Sequence, residues 1–286
     1  MIPLGPEALA VLFASSQIRR PPSALSGTSL SYQFIIIFQR GRRDMMSGSV
    51  WTERMPAGGP MPPPSAAEER CVRTSIPVLD AVFQGFRPCS VTLIDSPGRV
   101  LLDLIPALCV NGIRDLERDV VWVDGGCTVD PYEIGRACRR RGMGRAEVLD
   151  SINVARAFTA YQLVDLIDER LEKEVARTGA GMVVISCLPE MFQDKEMRRS
   201  ESHQLVRRCM ERLRAIASSD KVAVLVTSRG PMPPGLRDLV YEGADEIMRV
   251  ENASRALRIT LPLRGESVFY RPVPRGQTTL GEFARR

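Results

Sequence analysis

Lysine is scarce in this 286-residue chain: Lys173, Lys195 and Lys221 are the only three, and arginine supplies the rest of the 39 basic residues. A GC-rich codon bias accounts for that skew as well as a demand for phosphate-gripping guanidinium forks does. Histidine is scarcer still. His203 stands alone, which excludes His-rich metal sites and argues against His-based triads and a His general base. The seven cysteines (71, 89, 109, 127, 138, 187 and 209) show no C-x-x-C spacing. Their odd number and scattered placement argue for a reducing cytosol and against a zinc site or disulfide framework. No stretch approaches the ~20 apolar residues of a membrane span. The run Phe34 to Phe38 is too short, and no signal-peptide pattern surrounds it.

What is present is ordinary for a globular protein, with 44% hydrophobic and 26% charged residues. The net charge of +5 permits a nucleic-acid partner without requiring one. Residues 1–68 are rich in Pro, Gly, Ser and Met, and the stretch Met55 to Pro64 can form neither a helix nor a central strand. Three readings stand for this segment: disordered chain, an over-long translation start (Met45, Met46 and Met55 offer later ones), or a functional tail.

From about Val72 strands and helices alternate. Strands are expected at 90–95, Val120 to Asp124, Ile152 to Ala157, Met182 to Cys187 and Val222 to Thr227, mostly unbroken apolar runs of the kind covered on both faces. Asp130-Pro131-Tyr132-Glu133 reads as a helix start. A second helix carries the stripe Leu163, Val164, Ile167, Leu171 and Val175, with Asp165 and Asp168 on its solvated side. A third buries Leu205, Val206, Cys209, Met210, Leu213 and Ile216 and turns Arg207, Arg208, Arg212 and Arg214 outward, with His203 near its start as a surface or capping residue. After residue 244 come strands in succession: Glu246 to Val250, Leu257 to Leu263 and Val268 to Val273. The expected class is therefore α/β, a mostly parallel sheet with helices on both faces and a C-terminal antiparallel extension.

The strand at 90–95 leads into Ser96-Pro97-Gly98-Arg99 and then an apolar helix, the local architecture of a nucleotide site. A phosphate-binding loop needs glycine backbone to wrap phosphates, a lysine for their charge and a hydroxyl for Mg²⁺. Here Asp95, Val100, Leu101 and Leu102 occupy those positions. Free N–H groups at the start of the helix leave one alternative, an anion held with Arg99 as a substitute charge.

This order of elements resembles the RecA/RadA recombinase superfamily core over residues 72–275. Glu147 to Phe158 is similar to the stretch entering the third core strand of archaeal RadA proteins, and Ala107 to Asn111 to the helix after their phosphate loop. Gly243 to Val250 and Leu257 to Gly265 resemble late strands of RadA-like and KaiC-like domains. The resemblance implies a RecA-like core and places the family's loop Lys and Thr on Leu101 and Leu102. It places the catalytic glutamate on Gly126 and the magnesium-holding acid on Ser186. With all three groups replaced, phosphoryl transfer has no charge stabilisation to draw on. A divergent archaeal RadA paralog without a cofactor, and no longer an enzyme, is the expectation.

The last residues add a second pattern. Gln277, Leu280 and Phe283 fit the Q-x-x-L-x-x-F form of peptides that bind the PCNA sliding clamp, Leu280 and Phe283 sharing one face of a short helical turn. The alternative packs that turn onto the core. In the resembling recombinases, loops after the fourth and fifth strands hold single-stranded DNA; here they contain Lys195, Arg198, Arg199 and Arg229. A second cluster is Arg139, Arg140, Arg141 and Arg145, and no aromatic is interleaved with either to stack bases. Each cluster also fits a solvated helix face.

Together these readings give three parts: an N-terminal segment (1–68), a core (69–275) and a clamp-binding tail (276–286). The expected function is that of a non-catalytic accessory protein in recombination and repair, cytoplasmic and nucleoid-associated. Its expected partners are PCNA, RadA recombinase or other repair proteins, and single-stranded DNA, with no membrane. The alternative is an ATP-dependent RecA- or KaiC-like ATPase with an atypical site.

Overall fold

A computed structural model describes residues 70–96, 100–253 and 256–272, with backbone alone over 100–103. Eight strands form one sheet in the order β3-β2-β4-β5-β1-β6-β7-β8. They are β1 (Ser90–Asp95), β2 (Val120–Asp124), β3 (Ile152–Arg156), β4 (Met182–Ser186), β5 (Ala223–Ser228), β6 (Glu246–Ala253), β7 (Ala256–Leu261) and β8 (Glu266–Tyr270). β1 to β6 run parallel, and β7 and β8 follow antiparallel. The α/β class and the antiparallel C-terminal extension are as the sequence pattern predicts.

Alternation along each central strand splits the core into two layers. Val121 and Val123 of β2, with Val183 and Ile185 of β4, face one apolar cluster. That cluster is closed by α5 (Ala160–Asp165), α6 (Leu171–Thr178), α8 (Arg199–Asp220) and α9 (Pro234–Glu242). Trp122, Met182 and Val184 face the other, under α1 (Pro77–Phe83), α2 (Val100–Leu116), α3 (Pro131–Arg141) and α4 (Arg145–Asp150). Because both faces are covered, these strands carry no polar alternation to read. The extension differs: Met248, Val250, Leu257 and Ile259 pack inward, while Arg249, Arg258 and Phe269 on the opposite face are exposed. The sheet's outer strands, β3 and β8, are five residues each.

Asp130 caps α3 by accepting from the Tyr132 amide at 2.8 Å, Pro131 opens it, and Gly142 closes it in the left-handed region at φ 66°. The positive φ is what glycine permits there. A short helix, α7 (Leu188–Met191), follows β4.

Several expectations need correction. α5 and α6 are joined by a π turn over Leu166–Arg170, which no residue spacing announced. Asp168 is not solvated: its carboxylate pairs with Arg208 at 2.7 Å and is largely buried. Arg212 and Arg214 likewise pair with Glu172 (2.6 Å) and Asp245 (3.3 Å), so three of the four arginines assigned to an outward face tie α8 to its neighbours. His203 caps nothing. It is half-buried, its Cε1 lying 3.0 Å from where a Cβ on Gly235 would sit. Strands end slightly differently: Cys187 leaves β4 in the left-handed region, and β8 stops at Tyr270. The N-terminal segment and the tail carrying Gln277, Leu280 and Phe283 lie outside the described residues.

Candidate functional site

The carboxyl ends of β1, β2, β4 and β5 converge where an open parallel sheet binds ligands. Asp124 ends β2 and is fully buried. Its Oδ1 accepts from Thr128 Oγ1 (2.8 Å), Thr128 N (2.9 Å) and Ser186 Oγ (2.9 Å), and its Oδ2 from Val129 N (3.2 Å) and the Arg156 guanidinium (3.3 Å). Burial pushes the carboxyl's pKa up, but the hydrogen bonds from Thr128, Ser186 and Val129 outweigh it and hold the group below its ordinary value. Ser186 in turn accepts from the Trp122 indole N–H at 3.1 Å. β2 and β4 run in register with Asp124 opposite Ser186, so the residue in the magnesium-acid position is a link in a closed network. Asp124 points into that network, with both carboxylate oxygens taken up by internal donors.

The glutamate position is closed by packing. A Cβ on Gly126 would fall 2.4 Å from Cys187 Sγ, so the buried thiol occupies the space a side chain would need. Burial, then the nearby Glu190, push that thiol up to about 12, which keeps it protonated and unreactive.

Glu190 on α7 closes the next loop. Its Oε1 accepts from Ser228 Oγ (3.1 Å) and from the amides of Arg229 (2.6 Å) and Gly230 (2.8 Å). The segment after β5 is thereby pinned to the segment after β4. At β1, Asp95 accepts from the Tyr241 hydroxyl at 2.8 Å, and burial and that bond push the phenol up to about 12. Ser96 is buried with its hydroxyl unpartnered. Of the other nucleotide-site positions, Gly98 and Arg99 lie outside the described residues, and Leu101 and Leu102 fall in the first turn of α2 with only their backbone described.

Residues 108–243 match the Rad51 family model. The matched span runs from α2 through α9 and takes in β2 to β5, the strands whose ends carry the Asp124–Ser186 network and the Glu190 clamp. It supports the RecA/RadA-superfamily resemblance of this core, as does the strand order. Among the described residues no cluster of His, Cys, Asp and Glu could hold a metal ion, and no helix is long and apolar enough to cross a membrane.

The basic residues separate into two places. Lys195, Arg198 and Arg199 are exposed from the segment after α7 into the first turn of α8, beside Arg229 on the pinned loop. Asp194, Glu196 and Glu201 alternate with them, so their charge is offset locally. Arg139 and Arg140 are exposed at the end of α3. Arg141 turns inward instead, donating to Asn111 Oδ1 and to the Ala137 carbonyl at 3.3 Å. Burial and the neighbouring Arg114 and Arg140 push its pKa down to about 10. Arg145 lies over Tyr132, its guanidinium carbon 5.9 Å from the ring centroid. Tyr132 is 68% exposed, which corrects the expectation that no aromatic accompanies the cations. The signal was available in the spacing, since Tyr132, Arg136 and Arg140 recur at every fourth residue.

Proposed function

We propose that this protein is a non-hydrolysing accessory factor in DNA recombination or repair, which uses a RecA-type core to bind DNA or a recombinase and its C-terminal tail to dock on the PCNA sliding clamp. The Asp124–Ser186–Trp122 network carries this reading. Where the resemblance implies a magnesium-holding acid, Ser186 stands instead, and both its hydroxyl and the neighbouring Asp124 carboxylate are buried and taken up by internal partners. Cys187 beneath Gly126 supports it, because a water-activating side chain has no room there. The similarity of residues 108–243 to the Rad51 family supports the recombination and repair context.

The test is a nucleotide titration with the full chain and MgATP, followed by phosphate release. No binding in the micromolar range and no release is expected. Micromolar binding with Mg²⁺-dependent hydrolysis would instead establish an ATPase with an atypical site. A parallel DNA titration across salt separates a DNA-binding factor, whose affinity falls steeply with salt, from an adaptor that binds proteins only.

A further inference from the structure

Two basic surfaces are open to nucleic acid, and they are not equivalent. From the segment after α7 into the first turn of α8, Lys195, Arg198 and Arg199 alternate with Asp194, Glu196 and Glu201, and Glu201 accepts from the Tyr161 hydroxyl at 2.7 Å. Counting Arg229, a phosphodiester chain there meets three acids for four cations. The outer face of α3 has a larger excess. Glu133 is the one acid in that helix, largely buried, and it pairs with Arg136 at 3.1 Å. No ion pair joins Arg139 or Arg140 to an acid among the described residues.

Arg145 completes this face from outside the helix. Its side chain crosses onto α3 at Gly135, where an added Cβ would lie 3.2 Å from Nε and 3.3 Å from Cδ. A side chain at this position would push the arginine outward by a few tenths of an ångström. The guanidinium then backs the Tyr132 ring, which gives the exposed ring a defined orientation. From Tyr132 to Arg140 is eight residues, or about 12 Å at 1.5 Å per residue. A ring at one end and two guanidiniums at the other therefore share one rigid helix face.

Resting on the DNA-binding reading above, we infer that this face of α3 is a grip for single-stranded nucleic acid. Tyr132 stacks on an unpaired base, with Arg145 holding the ring from behind, and Arg139 and Arg140 hold the phosphates that follow. Paired bases present no free face to Tyr132, so the site discriminates against duplex.

The experiment measures fluorescence anisotropy of a labelled oligo-dT and of a labelled duplex with the full chain from low to high salt. Tyr132→Ala is expected to weaken oligo-dT binding about tenfold, leaving its salt dependence and the duplex affinity unchanged, while Tyr132→Phe retains binding. Arg139→Gln with Arg140→Gln is expected to weaken both probes and to lower the oligo-dT salt slope by about 1.4. The comparison variant changes Lys195, Arg198 and Arg199 to Gln. If that triple change abolishes oligo-dT binding while the α3 variants bind as the wild type does, the α3 grip is overturned and the DNA-binding reading survives. Equal losses on both probes from Tyr132→Ala overturn the stacking role. Failure of the wild type to bind either probe at low salt removes the DNA-binding reading itself, and the grip with it.

Discussion

Asp124 and Ser186 stand opposite one another at the ends of adjacent parallel strands, and the serine hydroxyl donates to the buried carboxylate at 2.9 Å. The folded-state pKa of Asp124 is held below its ordinary value. Its stabilising contribution is therefore complete above the unfolded pKa, about 3.9, and is lost as pH falls through the lower folded value. Asp124→Asn should lower stability at pH 7 by about 2–4 kcal/mol, since an amide cannot accept from all six donors. That gap to wild type should narrow as pH drops below 4. Urea unfolding at stepped pH reads this directly, and a gap that stays constant down to pH 3 would contradict it.

Gly126 and Cys187 compete for one volume. Gly126→Ala should cost about 1–3 kcal/mol, the usual penalty for overpacking, because the new methyl group falls 2.4 Å from a buried sulfur. Cys187→Gly in the same chain should recover most of that loss, and glycine also suits the left-handed φ of 57° at that position. Strict additivity of the two changes in a double-mutant cycle would argue against the clash.

Glu190 holds the turn after β5 through three donors to one oxygen. Glu190→Ala should cost about 0.5–1.5 kcal/mol, the usual net worth of hydrogen bonds whose donors water can reach, and should speed hydrogen exchange at the Arg229 and Gly230 amides well before global unfolding. Unchanged exchange at those two amides would mean the loop is ordered by other means.

The tail makes the clamp proposal measurable. Wild-type protein should bind PCNA, and Leu280→Ala with Phe283→Ala should reduce that affinity by at least tenfold, the usual weight of paired apolar anchors. Calorimetry reads both. Absence of binding by the wild type, or an unchanged affinity after the double substitution, would remove PCNA as the tail's partner.

The sheet was legible in the sequence because burial on both faces writes strands as unbroken apolar runs, as in Val120 to Asp124 and Met182 to Ser186. The start of α3 was legible for a different reason, since Asp130 and Pro131 satisfy a helix terminus locally. What depended on distant partners was not. Arg208, Arg212 and Arg214 look solvated in one dimension, yet each finds an acid 31 to 40 positions away. The vacancy at Gly126 could be read as a missing glutamate, but the sulfur filling it comes from another strand's end. The four-residue spacing puts Tyr132 on the face of Arg136 and Arg140, but its pairing with Arg145 exists only once that arginine folds across Gly135.

The five-residue outer strands have a consequence for the protein's behaviour in concentrated solution. An eight-stranded sheet with long, flat margins would present ladders of unsatisfied amides on which further chains could assemble. Margins this brief offer few such groups, and Arg258, one strand in from β8, adds a charge that opposes close stacking. The domain should therefore resist fibril growth after partial unfolding better than its apolar strands alone would suggest.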